Sequence, residues 1–390
     1  MTEVLVSGGG VAGATTAYWL RRHGFVPVVV EAAPAPRRGG QAVDVRGPAL
    51  TVAERMGIAD ELRAARTDMR GMSVVDEDGT ELMSTTDLTL TGGPVDGPDV
   101  EILRDDLVDV LGRATEDVEH LYGDRVVALD DTGERVRVEL ASGARRDVDL
   151  VVGADGQFSG VRRLAFGPDE DGDGAGRLYP LGQHIAVFTL PNTFGLDRWQ
   201  VFLQRPDAMV GLYTARQNAE VRAVMGWADP PGRPVTYHHR DLAGQRRLVT
   251  EAFAGGGWCI PEILAGMAGA DDFYLTPMTQ IRMTSWSRGR VALVGDAAYC
   301  ATAVSGQGTS LAMVGAYVLA GELDRAAGDH AAAFAAYEAR MRSFVDANQQ
   351  LALVNAERTR ELTGAQEAVE GFDAHWVASA ATAIDLPEYV

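Results

Sequence analysis

Apolar and polar positions recur along this chain with two different periods, and the changes of period divide it into units. Val4 to Ser7 is a short apolar run of the kind that forms a buried parallel strand, and Val11 to Arg22 spaces its apolar residues for a helix. Pro27 to Val30 (PVVV) predicts the next strand, ending at Glu31. From 125 to 152 the period shortens to two. RVVALDD, then ERVRVEL with Val136, Val138 and Leu140 on one face, then DVDLVV are separated by Thr132-Gly133 and Ser142-Gly143. This predicts a β-meander leading into a buried strand. Four runs between His184 and Trp227, HIAVFTL, WQVFLQ, AMVGLYTAR and VRAVMGW, predict an antiparallel sheet. Arg240 to Met267 reads as mainly helical, interrupted at Gly255 to Gly257, with GWCIP as core packing. Val291 to Val294 is an apolar strand followed by a glycine-rich turn and a helix opening near Gly308. Ala331 to Arg360 reads as an alanine-rich helix covering a domain junction.

At 390 residues the chain exceeds one compact core and implies two connected domains. With 46% hydrophobic and 23% charged residues it is an ordinary globular protein. A formal net charge of -20 argues against a nucleic-acid or anionic-membrane partner. Part of the acidic excess lies in GPDEDGDGAG, Gly167 to Gly176, which reads as a solvated loop. Two cysteines, Cys259 and Cys300, make neither a disulfide framework nor a metal cluster, and fit a reducing cytoplasm. The N-terminus lacks a basic n-region, so neither a signal peptide nor a membrane span is read there.

Against that background three glycine-rich corners carry chemistry. Gly8, Gly10 and Gly13 have GxGxxG spacing between a strand and a helix, with Val11 and Ala12 opening that helix. Gly8 serves a tight turn, Gly10 the close approach of a pyrophosphate, and Gly13 helix-to-strand packing. Glu31 closes the second strand, where a carboxylate can accept hydrogen bonds from a ribose. Asp155-Gly156, in GADGQFSGVRR, occupies another strand-to-helix corner, for which an Asx turn with an N-cap is the bland reading. The third corner, GRVALVGDAAYCATAVSGQG, joins Asp296 to Gly306, Gln307 and Gly308 at the start of a helix, whose free N–H groups suit an anionic or electron-rich edge. Polar strand positions Gln183, His184, Arg198 and Gln200 can face a ligand or serve the sheet.

Taken in order, GGGVAG with Glu31, GADG, and GRVALVGDAAY with GQG resemble the FAD-dependent aromatic hydroxylases, the group A flavoprotein monooxygenases with the p-hydroxybenzoate hydroxylase-like fold. The resemblance spans nearly the whole chain. GGQAVDVRGPAL and VEILRDDLVDVL look most like the branch of tetracycline-inactivating and actinobacterial natural-product monooxygenases. It implies an α/β fold: a Rossmann-like FAD-binding domain with β-meander, a substrate domain built on an antiparallel β-sheet, and a C-terminal helix. The implied division is 1–70, 97–165 and 280–330 for FAD, 71–96 and 166–279 for substrate, and 331–390 for the helical end.

By the same resemblance Gly8, Gly10, Val11, Ala12 and Gly13 hold the FAD pyrophosphate, and Glu31 the adenosine ribose. Arg104 contacts the flavin side, Asp155 serves FAD and NAD(P)H binding, Asp296 the ribityl chain, and Gly306, Gln307 and Gly308 the pyrimidine edge. Arg46, His184, Arg198 and Gln200 are candidates toward substrate. The resemblance implies tightly bound, non-covalent FAD, NADPH or NADH as reductant, and O2. A flavin C4a-hydroperoxide then transfers oxygen to an aromatic, phenolic or polyketide-like small molecule, with no protein nucleophile and no metal. A monomer or homodimer in the cytoplasm is implied. The alternatives are a flavoenzyme of this fold catalysing dehydrogenation, epoxidation or a non-redox rearrangement, and a non-catalytic ligand-binding homologue. One stretch departs from the family pattern. Where the family has His and then Pro after GDAA, this chain has Tyr299, Thr302 and Ala303, which implies a looser loop or an extra N–H beside the flavin.

Overall fold

A computed structural model describes the chain except residues 37–38, 90–92, 170–176, 239–240, 362–378 and 390, and leaves the side chains of 358–361 aside. Most of the acidic run Gly167 to Gly176 therefore lies outside the described residues. Continuous apolar runs form the strands of a six-stranded sheet ordered Ser287–Arg288, Val291–Leu293, Leu150–Gly153, Glu3–Ser7, Val26–Glu31 and Glu119–Tyr122. All neighbours are parallel except the first pair. Parallel strands in this layer are covered on both faces, so Val4, Leu5, Val6, Val151, Val152 and Leu293 lose essentially all contact with water.

The alternating stretch folds as expected into a separate antiparallel sheet of Val126–Asp131, Val136–Leu140 and Arg145–Val148, ahead of the buried strand Leu150–Gly153. The helices Val11–Arg22 and Gly308–Arg325 pack on each other against the parallel sheet. The second is buried along its length from Ser310 to Leu323. Its Gly315 is required by packing, because a Cβ there would lie 1.9 Å from the Tyr299 hydroxyl. His330–Glu361 forms one long helix beside it.

A seven-stranded sheet forms the second layer, ordered Tyr274–Ile281, Leu178–Pro191, Glu220–Ala228, Ala208–Ala215, Gln200–Arg205, Met72–Val75 and Glu81–Thr85. The four runs read from sequence supply its centre, and Leu178–Pro191 starts earlier than the pattern indicated. Its two faces are chemically distinct. Ala186, Phe188, Leu212, Met225 and Trp227 face the helices Leu242–Ala252 and Ile260–Met267. Val187, Tyr213 and Val224 face the other way, toward Leu103 on the ribbon of Ala42–Val45 and Val100–Leu103. That ribbon ties the layers together: Ala42 N–H donates to the Tyr213 hydroxyl at 2.6 Å and Arg222 Nε to the Gly40 carbonyl at 3.1 Å. Among the described residues no helix is long and apolar enough to cross a membrane.

Candidate functional site

The strands Glu3–Ser7, Leu150–Gly153 and Val291–Leu293 are parallel neighbours, so their carboxyl ends emerge side by side. In open α/β sheets this is where ligands bind. Each of the three glycine corners grows from one of these ends, and they touch. A Cβ on Gly8, whose φ is +106°, would lie 2.4 Å from the Ala154 carbonyl oxygen and 2.9 Å from Asp155 Cα. A Cβ on Gly295 would lie 2.9 Å from Ala12 Cβ. Motifs nearly three hundred residues apart in the chain thus close on a single cleft.

Two features of that cleft suit an extended anionic ligand. Val11–Arg22 begins at Gly10 and Gly308–Arg325 at Gln307, and neither N-terminus has a side-chain cap or an acid in its first turn. Their positive ends are left to whatever lies in front of them. A Cβ on Gly10, Gly306 or Gly308 would meet no protein atom within 4 Å, so the chain leaves open space at these positions. Asp296 is accessible to solvent yet closely surrounded by protein, as a residue on a cleft floor must be. That enclosure raises its carboxyl above the usual range, while Cys300 and Arg104 oppose the shift. The Arg104 guanidinium makes no hydrogen bond or ion pair among the described residues. Helix starts for a pyrophosphate, a carboxylate for hydroxyls and an uncommitted guanidinium together match the parts of FAD.

Several predicted residues also have structural tasks. Glu31 braces the glycine loop, accepting from Gly9 N–H at 2.7 Å and from Ala33 N–H at 2.8 Å, one on each oxygen. Ala12 is packed under Gly295, leaving its backbone as the part able to serve a ligand. Asp155 accepts from Gly160 and Val161 N–H at 2.7 and 3.1 Å and from the hydroxyl of Ser159, the N-cap of the helix Gly160–Phe166. These bonds reach four to six residues ahead, so they are not an Asx turn; Asp155 supports the helix start, and Ser159 is its N-cap.

The substrate candidates separate. Gln200 is buried opposite Tyr213, on the sheet face that meets the ribbon, with Nε2 3.5 Å from Glu101. Arg46 lies at the end of the same ribbon, 3.0 Å from Asp44 and 3.8 Å from Asp99. His184 departs from expectation. It stacks on Trp227 and is held by Asp229 at 2.8 Å, on the face turned to the helices, because alternation places it with Ala186 and Phe188. Arg198 sits in an exposed turn, paired with Asp68 at 3.0 Å. Neither is brought to the cleft.

The departure after GDAA also has a structural account. Tyr299 turns into the core, its hydroxyl 3.0 Å from that of Tyr337, and burial pushes it up to about 12. Thr302 has φ +74°, a conformation that proline, fixed near -65°, does not adopt. Proline placed at Thr302 would therefore break this loop. The Thr302 N–H lies on the side of the Cys300 sulfur, where it opposes the rise that burial imposes on that thiol. Ala303 and Gly306, rather than Thr302, open to the surface.

Sequence reading passed over three groups. Gln157 Nε2 donates to the Thr279 carbonyl at 2.9 Å, joining the Asp155 corner to the seven-stranded sheet. Arg162, fully buried, donates to the Ala297 carbonyl at 2.9 Å and the Gln157 carbonyl at 2.7 Å, so it ties the second and third corners together. The spacing of Asp155, Ser159 and Arg162 was its only signal. Asp44 is the third. Burial pushes its carboxyl from 3.8 up to about 8, with Arg46 opposing and Glu101 adding to the rise. The fold then holds a proton that the unfolded chain releases, so stability falls as pH rises across that window. Asp44→Asn is expected to flatten this slope and to stabilise the protein near the upper end, as read by urea unfolding at about pH 5 and about pH 8.

Comparison with known proteins places these motifs in a family. The FAD binding domain family matches residues 1–352. An uncharacterized protein of Mycobacterium tuberculosis is 49% identical over 352 residues, covering 90% of this chain and 92% of that protein. A flavin-dependent monooxygenase of Legionella longbeachae is 36% identical over 394 residues, covering 99% of this chain and 98% of that protein. The crystal structure of tetracycline destructase Tet(51) superposes with a TM-score of 0.89 at 34% identity and covers 100% of both chains. With three corner motifs converging on one cleft and matches over nearly its full length, the chain belongs to the FAD-binding family of flavin-dependent monooxygenases.

Proposed function

We propose that the protein uses NADPH or NADH and O2 to hydroxylate or otherwise oxygenate an aromatic, phenolic or polyketide-like small molecule in the cytoplasm. The observation that carries this reading is the meeting of two uncapped helix starts with Asp296 and Arg104 in one cleft. Backbone N–H groups from Gly10 to Gly13 hold the pyrophosphate and Glu31 the adenosine ribose. Asp296 accepts from ribityl hydroxyls, Arg104 pairs with the flavin side, and Gly306 to Gly308 present the second helix start to the ring. Bound FAD supplies the electron transfer and the activation of oxygen.

The protein's own part is placement and dryness. The sheet face carrying Ile185, Val187, Phe202, Met209 and Val224, with Met72 and Val74 beside it, supplies an apolar wall for a planar substrate. Gln200 and Arg46 are the polar groups at its ribbon end. In this reading the parallel layer with its meander is the FAD-binding domain and the seven-stranded layer the substrate domain. The likeness to tetracycline destructase Tet(51) supports a polycyclic polyketide as the substrate class.

Anaerobic reduction with NADPH and with NADH, followed by oxygen and a panel of phenols and polycyclic polyketides, tests the reading. Substrate-stimulated oxidation of one nicotinamide and a product heavier by one oxygen atom are expected. Nicotinamide oxidation that no panel compound stimulates would point to a ligand-binding homologue, and a product without added oxygen to a different flavin reaction.

A further inference from the structure

The strand Tyr274–Ile281 is the seam of the molecule. It is an edge strand of the seven-stranded sheet, and it is also the one that the cleft corners grip. Gln157, next to the Asp155-Gly156 corner, donates to the carbonyls of Thr279 and Pro277 and accepts from the Thr276 hydroxyl at 3.2 Å. At the other end Ile281 N–H donates to the Cys300 carbonyl at 3.0 Å, four residues beyond Asp296.

Tyr274 opens this strand. It pairs with Val187, so its side chain belongs to the sheet face that meets Leu103 and, one residue on, Arg104. Its phenol lies beside Thr276 on the same face and within electrostatic reach of Asp296 and Arg104; burial raises it above the ordinary tyrosine range, with Asp296 adding to the rise and Thr276 and Arg104 opposing it. Yet 42% of the residue is accessible to solvent. A side chain that is deep among protein atoms and still widely accessible lines a cleft. A tyrosine on the outer surface would lack the first property, and one in the core would lack the second.

We propose that the ring of Tyr274 contacts the bound flavin, forming the wall of the cofactor cleft contributed by the substrate-side sheet. The proposal rests on the assignment of the cleft to FAD. It gives the seam a purpose: Tyr274 is placed at the flavin wall on the same strand whose Thr276 and Thr279 are held by Gln157 of the Asp155 corner. A neutral phenol is suited to this position, since it offers a hydrogen bond and a π face without adding charge between Arg104 and Asp296.

Apoprotein reconstituted with FAD tests it, using Tyr274→Phe, Tyr274→Leu and, as a control on the same sheet, Tyr179→Phe at a position 43% exposed and covered by Arg282. A tyrosine in contact with flavin quenches its emission by electron donation, which phenylalanine does not. Tyr274→Phe is therefore expected to brighten the bound flavin and shift its absorption band. Tyr274→Leu is expected to weaken FAD binding roughly twofold to tenfold through loss of the aromatic contact. Tyr179→Phe is expected to change neither. Emission and absorption of Tyr274→Phe equal to wild type, with unchanged FAD affinity in Tyr274→Leu, would overturn the proposal while leaving the cofactor assignment standing. A wild-type protein that binds no FAD would overturn both.

Discussion

Gly10→Ala is expected to give a folded but colourless protein, whereas Gly13→Ala is expected to be strongly destabilised. The two glycines stand three positions apart in one loop, and their surroundings differ completely. A Cβ on Gly13 would lie 1.8 Å from the Gly8 carbonyl oxygen, a backbone atom fixed by the turn itself, so the loop and the helix Val11–Arg22 must separate. Overpacking of this kind costs about 3 kcal/mol or more. A Cβ on Gly10 would meet no protein atom within 4 Å, and its φ of -76° suits alanine. The cost to the fold is then confined to a poorer N-cap, roughly 1 kcal/mol or less. Its methyl group would instead occupy the approach to the pyrophosphate, weakening FAD binding by roughly a hundredfold if the steric cost there is about 3 kcal/mol. Flavin absorbance relative to protein absorbance, alongside thermal unfolding of each variant, separates the two effects. Full retention of FAD by Gly10→Ala would contradict the placement of the cofactor.

Arg162→Met is expected to be the most destabilising change away from the glycine loops. The side chain is fully buried and bidentate to Asp169, at 2.7 and 2.9 Å, besides its bonds to the Ala297 and Gln157 carbonyls. Methionine nearly matches its volume but leaves the Asp169 carboxylate with only the half-exposed Arg163, 3.8 Å away, and breaking a buried pair in this way costs about 3 kcal/mol. Adding Asp169→Asn to that background removes the stranded charge and is expected to restore part of the loss. Arg162→Lys should fall between, since an ammonium cannot reproduce the fork. Denaturant unfolding with and without FAD measures the series. If the two carbonyl bonds hold the cleft corners in place, FAD will stabilise the variants less than it stabilises the wild type.

The elements that carry the cofactor were legible because their signals are local. Val11–Arg22 has the bounds read from its periodicity, and the apolar runs ending at Ser7, Glu31 and Gly153 are strands. What escaped depends on distant partners. Met72–Val75 pairs in parallel with Gln200–Arg205 across more than a hundred residues, and Glu119–Tyr122 is an edge strand with no apolar run to announce it. The misplacement of His184 has a similar cause. A register shift between Pro180 and His184 precedes it, and which face a strand residue takes is set by pairing that the sequence alone does not display. The positive φ of Thr302, a β-branched residue, has no local signature either. Arg162 could be quoted from the sequence, but its partner Ala297 only becomes visible once the sheet order brings two corners together.

The order of strands in the parallel sheet has a consequence for how the chain acquires its shape. Glu3–Ser7 finds Val26–Glu31 almost at once, but Val291–Leu293 joins Leu150–Gly153 only after the whole stretch from 178 to 281 has been made. Closing that long loop is slow, while the four central strands of the other sheet are near neighbours in sequence and meet sooner. The seven-stranded layer should therefore consolidate first, with the parallel layer held open at the edge of Leu150–Gly153 until Val291–Leu293 docks. During synthesis this leaves an uncovered parallel edge and its apolar faces exposed to aggregation. Production at lower temperature, with slower synthesis, is the condition that favours capture of the last strand.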